Sequence, residues 1–490
     1  MRKTASYLRF EHLWAIIVLA GIFSFANTTA IRPNDFWFHI AYGRSFIQTG
    51  RLPVQEQFSF TQAGSYPSVY NYWLAQVFYY LVYEFGGAAW VVLVSSLLFT
   101  AAYYLVFRIG LNKTGNWSAA ALGALFAAIL GITSANIRPQ LLAYPLLAGA
   151  MYAIEKFRNG GRRWMWGLTL GVIMVIWVNS HGTFFLPFAL IAFWGLEEAV
   201  AAYKEKSFSL LIPPIALSGY ALFGTLINPR GLRVFDFLYN MGTASTINRY
   251  ASEWQPTSLH HLTGQLFFMA LIILVVILIL SRRRLSLAEW SSLILFTLLA
   301  IEYTRAVAWF GLTQAALFAK SLDILLNRNN RKVVKENNRP WFNFVIAGSM
   351  GLLAILSLPW FRSYLPGGSE NRNLLMDTPV EAVEFMAQNV PSPNVFADMG
   401  FSSYLIWAAA GQYKVFIDPR FEFYSEAIWD DFIEISYAEG DWENLLEKYQ
   451  AGTLLLHRVF QRPLIEAAQT SAHWVKVYED PMAIIFTYSP

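Results

Sequence analysis

"RPNDFWFHIAYGRSFIQTGRLPVQEQFSFTQ" (residues 32–62) follows the first long apolar run of the chain. It is too polar to stay in lipid and too aromatic for an ordinary loop. Pro33-Asn34-Asp35 turns the chain as it leaves the apolar run. Residues 36–49 can form an amphipathic helix, stopped by Gly50 and Pro53. On that helix Asp35, His39 and Tyr42 fall at i, i+4 and i+7, on one face. Trp37, Ile40 and Ala41 lie elsewhere and are expected to rest in a lipid headgroup layer. Asp35 therefore has two readings: a cap of this helix, a common use of aspartate, or a working carboxylate held where lipid meets water.

Composition sets the frame around this stretch. Of 490 residues, 56% are hydrophobic, 17% aromatic and only 14% charged. That is far too apolar for a soluble chain of this length, and runs near 20 apolar residues recur along it. Eleven membrane spans are expected, at about 13–31, 87–107, 117–134, 139–157, 164–179, 183–200, 209–227, 264–280, 286–302, 306–322 and 342–360. Arg2, Lys3 and Arg9 before the first span resemble a signal peptide, but the run is long and no A-x-A site ends it, so it reads as an anchor. The aromatic segment "YPSVYNYWLAQVFYYLVYEFGG" (residues 66–87) is expected to lie along the membrane interface.

The net charge of +4 does not call for nucleic acid. With the N-terminus inside, inner segments hold nineteen Lys and Arg against eight in the outer loops before the last span. That asymmetry orients the chain N-in, and an odd number of spans puts the C-terminus outside. The corners "ANIRPQ", "VNSHGT" and "EYTRA", the loop 229–263, the opening stretch and the tail then share the outer side. Residues hundreds of positions apart can meet on one surface. The implied setting is a membrane crossed many times, with membrane lipids as neighbours.

After the linker "PGGSENRN" the chain changes character. "DTPVEAVEFMAQNV" reads as a helix capped by Asp377 or Thr378. "NVFAD", "YKVFID", "TLLLH", "WVKVYED" and "MAIIFTY" read as strands with helices between them. The fold class is thus a helical polytopic membrane protein with a C-terminal extracytoplasmic α/β domain. Its divisions are a membrane domain over 1–361, whose first outer loop is 32–86, and the α/β domain over 362–490.

Several chemistries are excluded. Cysteine is absent, so disulfides and thiolate sites are out. No H-E-x-x-H, Walker loop or G-x-S-x-G occurs, and the seven histidines show no metal-ligand spacing. The spans are nearly free of ionisable residues at mid-depth, where ion-coupled transporters keep them. A site at the membrane surface fits better.

The ordered segments "DFWFHIAYG", "PVQEQFSFT", "IRPQ", "VNSHGT" and "VFIDPR" together resemble the GT-C superfamily of polytopic glycosyltransferases, in a bacterial branch distantly similar to protein O-mannosyltransferases and lipid A aminoarabinose transferases. The resemblance covers nearly the whole chain. It implies an inverting transfer of a sugar from a polyprenyl-phosphate donor to a surface glycan, lipid or protein acceptor. Asp35 becomes the catalytic base. Glu56 orients the acceptor or holds a divalent cation, or else is an exposed loop acid. Glu56 stands where the branch has Asp, and Asn34-Asp35 replaces paired acids, which leaves metal use and substrate open.

Arg138 and Arg305, at outer corners, suit a lipid phosphate through their planar donor forks. The alternative is arginines that snorkel to headgroups. His39, His181 and Glu253 are further substrate-binding candidates. Their bland alternatives are a structural histidine, a polar turn with Asn179, and a surface acid. Asp418 and Arg420 read as an ion pair beside a Pro419 turn. Two other functions fit the same composition: a flippase or transporter for lipid-linked glycans, and a non-catalytic envelope scaffold. No internal repeat of the transporter kind is visible.

Overall fold

The structure, a computed structural model, describes residues 8–66, 72–329, 340–364 and 375–489. Arg2 and Lys3, part of the aromatic segment, the basic run 331–339 and the linker 366–373 lie outside the described residues. Apolar helices dominate. The chain opens with α1 (Phe10–Asn27), α2 (Asp35–Thr49) and α3 (Trp73–Thr114). There follow α4 (Trp117–Gly131), α5 (Gln140–Arg158), α6 (Arg163–Val178), α7 (Leu186–Glu205) and α8 (Ile212–Leu226). Two short helices, α9 (Val234–Thr243) and α10 (Ser245–Tyr250), precede α11 (Leu262–Ser281), α12 (Leu287–Glu302), α13 (Val307–Asn329) and α14 (Pro340–Leu356).

Every expected span falls on a helix. Six helical segments among the described residues are long and apolar enough to cross a membrane by length and composition, including α1, α11 and the 42-residue α3. The aromatic segment and the second span run together in α3, broken where Gly86 and Gly87 leave helical geometry. Gly87 takes φ +66° with ψ −159°, which side chains with a Cβ rarely adopt. Before the break the helix has two faces: Tyr79 and Tyr80 are buried, while Leu81 and Phe85 are exposed.

The C-terminal part has the expected five strands. They are β1 (Asn394–Ala397), β2 (Lys414–Val415), β3 (Thr453–His457), β4 (Trp474–Glu479) and β5 (Ala483–Tyr488). The sheet order is β2-β1-β3-β5-β4, with β2, β1 and β3 parallel and β5 antiparallel to both β3 and β4. Helix α15 (Val380–Asn389) precedes the sheet, and α16 (Met399–Ala408), α17 (Glu426–Ser436), α18 (Trp442–Lys448) and α19 (Arg462–Thr470) connect its strands. The cap of α15 differs from expectation. The helix begins after Pro379 with no side-chain cap, because Asp377 sits at φ +57° and Thr378 Oγ1 turns back to the Met376 carbonyl at 3.3 Å.

The sequence boundary near residue 361 is not a packing boundary. The Val415 N–H donates to the Phe58 carbonyl at 2.8 Å, and the Phe60 N–H to the Val415 carbonyl at 3.1 Å. The loop after α2 thus pairs with β2 and covers that sheet edge, which would otherwise expose unpaired backbone groups.

Trp37, Ile40 and Ala41 correct the expectation for α2. They are buried in protein and not laid in a headgroup layer. Trp37 meets Tyr404 of α16 edge-on at 4.9 Å and Tyr83 of α3 at 5.9 Å. Close backbone approach makes this clamp possible. A Cβ on Gly43 would lie 2.3 Å from the Gln76 carbonyl oxygen, and one on Gly400 would lie 2.1 Å from that of Pro33. Helix α2 is therefore held between α3 and α16, and this fixes where Asp35 stands.

Candidate active site

Asp35 opens α2 and does not cap it. The N-cap is Asn34, whose own side chain makes no cap hydrogen bond. The cap comes from the C-terminal domain. Ser403 Oγ accepts from the Phe38 N–H at 3.0 Å and donates to the Asn34 carbonyl at 2.5 Å. Ser403 thus bridges the N–H and C=O groups of the first helical turn from outside, and the Asp35 carboxylate is free to face a cavity.

The cavity has a volume of about 90 Å³ and brings together Asp35, His39, Arg138, His181, Glu253 and Arg305. These come from α2 and from four separate corners or loops of the bundle. Arg138 lies at its centre. Its Nη1 and Nη2 donate to the two Glu253 oxygens at 2.6 and 2.5 Å, and Nη1 reaches Asp35 Oδ2 at 3.4 Å. Arg305 places its guanidinium 4.6 Å from the centroid of the Trp254 ring. Among the described residues it has no ion-pair partner.

Burial pushes the Asp35 carboxyl above its ordinary value. Arg138 and Arg305 pull it down without cancelling that rise, and Glu253 adds to it. For Glu253 burial acts in the same direction, but the bidentate Arg138 outweighs it and holds the carboxyl at about 2. The two acids thus differ in kind: Glu253 is a fixed counter-ion, whereas Asp35 is able to take a proton. Separated acid strengths of this sort are a mark of acid–base chemistry.

His39 and His181 line the same cavity. His39 Nδ1 meets the Gln76 amide nitrogen at 3.0 Å, an assignment that puts the ring proton on Nε2. His181 Nδ1 accepts from the Thr183 N–H at 3.2 Å. Burial, with nearby arginines, drives both rings well below the ordinary histidine value, so both are neutral. Asn179 is a latch: it accepts from Trp73 Nε1 at 2.7 Å and donates to the Val175 and Ile227 carbonyls.

Glu56 is not in this cavity. It is buried, not an exposed loop acid. One of its oxygens accepts from the N–H groups of Gln57, Phe58 and Ser59, and the other from Tyr42 and Arg420, each at 2.8 Å. Arg420 also binds Asp418, closing a buried network between α2, the following loop and the C-terminal domain. Every lone-pair direction of Glu56 is in use, so it has no capacity for a cation. Asp35 and Glu253 face Arg138. Among the described residues no three His, Asp or Glu side chains cluster as metal ligands.

Sequence reasoning missed Tyr72, Gln140 and Glu422, which also line the cavity, and placed Arg420 only in its pair with Asp418. The available signal for Glu422 was position: it follows strand β2, and α/β domains commonly bind ligands beyond strand ends.

No protein-family profile matches this sequence, and no curated protein matches it. Solved structures do match its fold, and they are of the GT-C type. The oligosaccharyltransferase of Archaeoglobus fulgidus, in complex with zinc and sulfate, matches with TM-score 0.55 at 13% identity, over 97% of this chain and 73% of its own. ArnT from Cupriavidus metallidurans bound to undecaprenyl phosphate matches with TM-score 0.53 at 12% identity, over 97% of both chains. The same ArnT in the apo state gives TM-score 0.55 at 13% identity, over 96% of both chains. The chain is thus a helical membrane protein with a GT-C-like fold and a small C-terminal sheet.

Proposed function

We propose that the protein is an inverting glycosyltransferase, working on the outer face of a bacterial cytoplasmic membrane with a polyprenyl-phosphate sugar as donor. The observation that carries this reading is the pairing, in one cavity, of a carboxylate able to take a proton with an arginine that has no ion-pair partner among the described residues. The likeness in fold to ArnT, solved with undecaprenyl phosphate, supports the choice of donor.

In the proposed reaction Asp35 accepts the proton of an acceptor hydroxyl. The acceptor oxygen bonds to the anomeric carbon as the bond from that carbon to the phosphate oxygen breaks. The electron pair leaves with the polyprenyl phosphate, which gains a negative charge. Arg305 faces that charge, and a single displacement inverts the anomeric centre. Arg138 is a positioning residue that orients Asp35 and restrains the rise in its pKa. Glu56 likewise positions, by locking Tyr42 of α2 to Arg420.

A deletion strain tests the reading directly. Mass spectrometry is expected to find one surface glycan lacking a sugar and one polyprenyl-phosphate monosaccharide accumulating. An unchanged lipid-linked pool would remove it. The orientation has its own test, since the chain has no native cysteine. A cysteine at Tyr437, exposed in the C-terminal domain, is expected to label from outside, and one at Tyr203 only from the cytoplasm. The reverse pattern would put the cavity on the wrong side for an outer acceptor.

A further inference from the structure

The charges around the cavity do not all pair. Arg138 is taken by Glu253 and Asp35, and Arg420 by Asp418 and Glu56. Arg305 and Glu422, which both line the cavity, are left over among the described residues. Among the described residues no side chain donates a hydrogen bond to the Glu422 carboxylate; its own backbone N–H is what it meets. Desolvation raises its pKa above the ordinary value although the residue is only half-buried; Arg420 partly opposes the rise, and Asp418 and Asp35 add to it.

Glu422 is not left in this position by a loose loop. It is the middle residue of a single 3₁₀ turn, Phe421–Phe423, and both neighbours are pinned. Phe421 stacks on Trp429 at 4.9 Å with planes 6° apart, and its carbonyl accepts from Trp429 Nε1 at 3.3 Å. Phe423 lies under the Arg420 guanidinium at 4.2 Å, and its N–H donates to the Arg420 carbonyl at 3.0 Å. The turn is thus tied through Arg420 to the Glu56 network. A pinned turn that holds an acceptor-only group against a cavity, half-buried and with no side-chain donor among the described residues, is a binding arrangement. The rings of Phe421 and Trp254 line the same space and offer apolar faces beside it. A carboxylate flanked by aromatic faces suits a sugar, whose hydroxyls donate and whose C–H face is apolar.

We infer that Glu422, supplied by the C-terminal domain, recognises the sugar of the donor by accepting hydrogen bonds from its hydroxyls while the attached phosphate lies toward Arg305. This assignment rests on the donor reading above and gives the C-terminal domain a part in choosing the sugar. Hydrogen bonds to a charged group that are lost on substitution correspond to about ten- to a hundredfold in affinity.

The test uses the full-length protein in lipid vesicles. Binding of bare undecaprenyl phosphate is compared with that of a panel of undecaprenyl-phosphate hexoses and pentoses. The wild-type protein is expected to hold one sugar-bearing lipid at least tenfold more tightly than the bare lipid. Glu422→Gln is expected to erase that preference while leaving affinity for the bare lipid and the melting temperature unchanged. Glu422→Asp is expected to restore part of it. A Glu422→Gln protein that keeps the full preference would overturn the assignment and leave the donor reading standing. Wild-type protein that binds neither lipid would overturn both.

Discussion

Asp35→Asn is expected to lower sugar transfer by at least about 10²-fold, because an amide cannot take the acceptor's proton and a positioned base contributes about 10²–10⁴. The substitution is nearly isosteric, and the structure indicates why the fold should tolerate it. The first turn of α2 is capped by Ser403, so no cap is lost. Arg138 keeps both bonds to Glu253. The folded-state pKa of Asp35 is raised, so its ionisation opposes folding at every pH above the unfolded value. A neutral amide removes that opposition, and the loss of an acid from a helix N-terminus costs only about 0.3–1 kcal/mol. Transfer in vesicles and thermal unfolding of the same preparation separate the two effects. Near wild-type transfer by a stable variant would remove Asp35 as the base. The pH profile gives an independent reading. A base must be ionised, so activity falls on the acid side, at a pH above the ordinary carboxylate range. Arg138→Gln takes away the largest influence lowering the Asp35 pKa, and the acid limb is expected to move to higher pH. A limb that stays in place would detach the profile from Asp35.

What could be read from the sequence was what depends on local pattern. Apolar runs fell on helices, the expected strands were found, and Gly50 ends α2 in the left-handed conformation expected of a C-cap glycine. Counting spans also placed the corners holding Asp35, Arg138, His181, Glu253 and Arg305 on one side, and the structure gathers these residues into one cavity. Pairing was not legible. Arg138 and Glu253 lie 115 positions apart, and Glu56 and Arg420 lie 364 apart, so nothing local could reveal which arginine was engaged or that Glu56 was saturated. The face of α2 was misjudged for the same reason. Amphipathicity identifies an apolar side, but only the tertiary fold reveals that α16, some 360 residues on, covers it in place of lipid. Glu422 gains a place only when the turn carrying it is seen against the cavity.

This pairing decides which arginine should matter most for the donor. Arg138 and Arg305 looked equivalent as corner residues with suitable forks. In the structure Arg138 must break a bidentate bond with Glu253 before it can turn to a phosphate, whereas Arg305 has only the face of Trp254 to leave. A cation over a ring is held by about 0.5–2 kcal/mol, more as the pair loses water, and both Trp254 and Arg305 are half-buried; this is still less than a bidentate ion pair, so Arg305 is the more available and its removal should disturb the fold little. The charge it would face develops as phosphate departs. Losing one preorganised donor of this kind lowers turnover by about 10²–10³. Arg305→Ala is therefore expected to reduce transfer by that factor with an unchanged melting temperature, and Arg305→Lys to recover only part, since a point charge replaces the planar fork. Arg138→Gln provides the contrast. If Arg138 acts through Asp35, its loss shifts the pH profile, whereas Arg305→Ala lowers the rate at every pH. Full activity in Arg305→Ala would reassign this arginine to lipid headgroups. The departing phosphate would then have to draw Arg138 away from Glu253, a rearrangement that Glu253→Gln should make easier and that a faster Glu253→Gln enzyme would reveal.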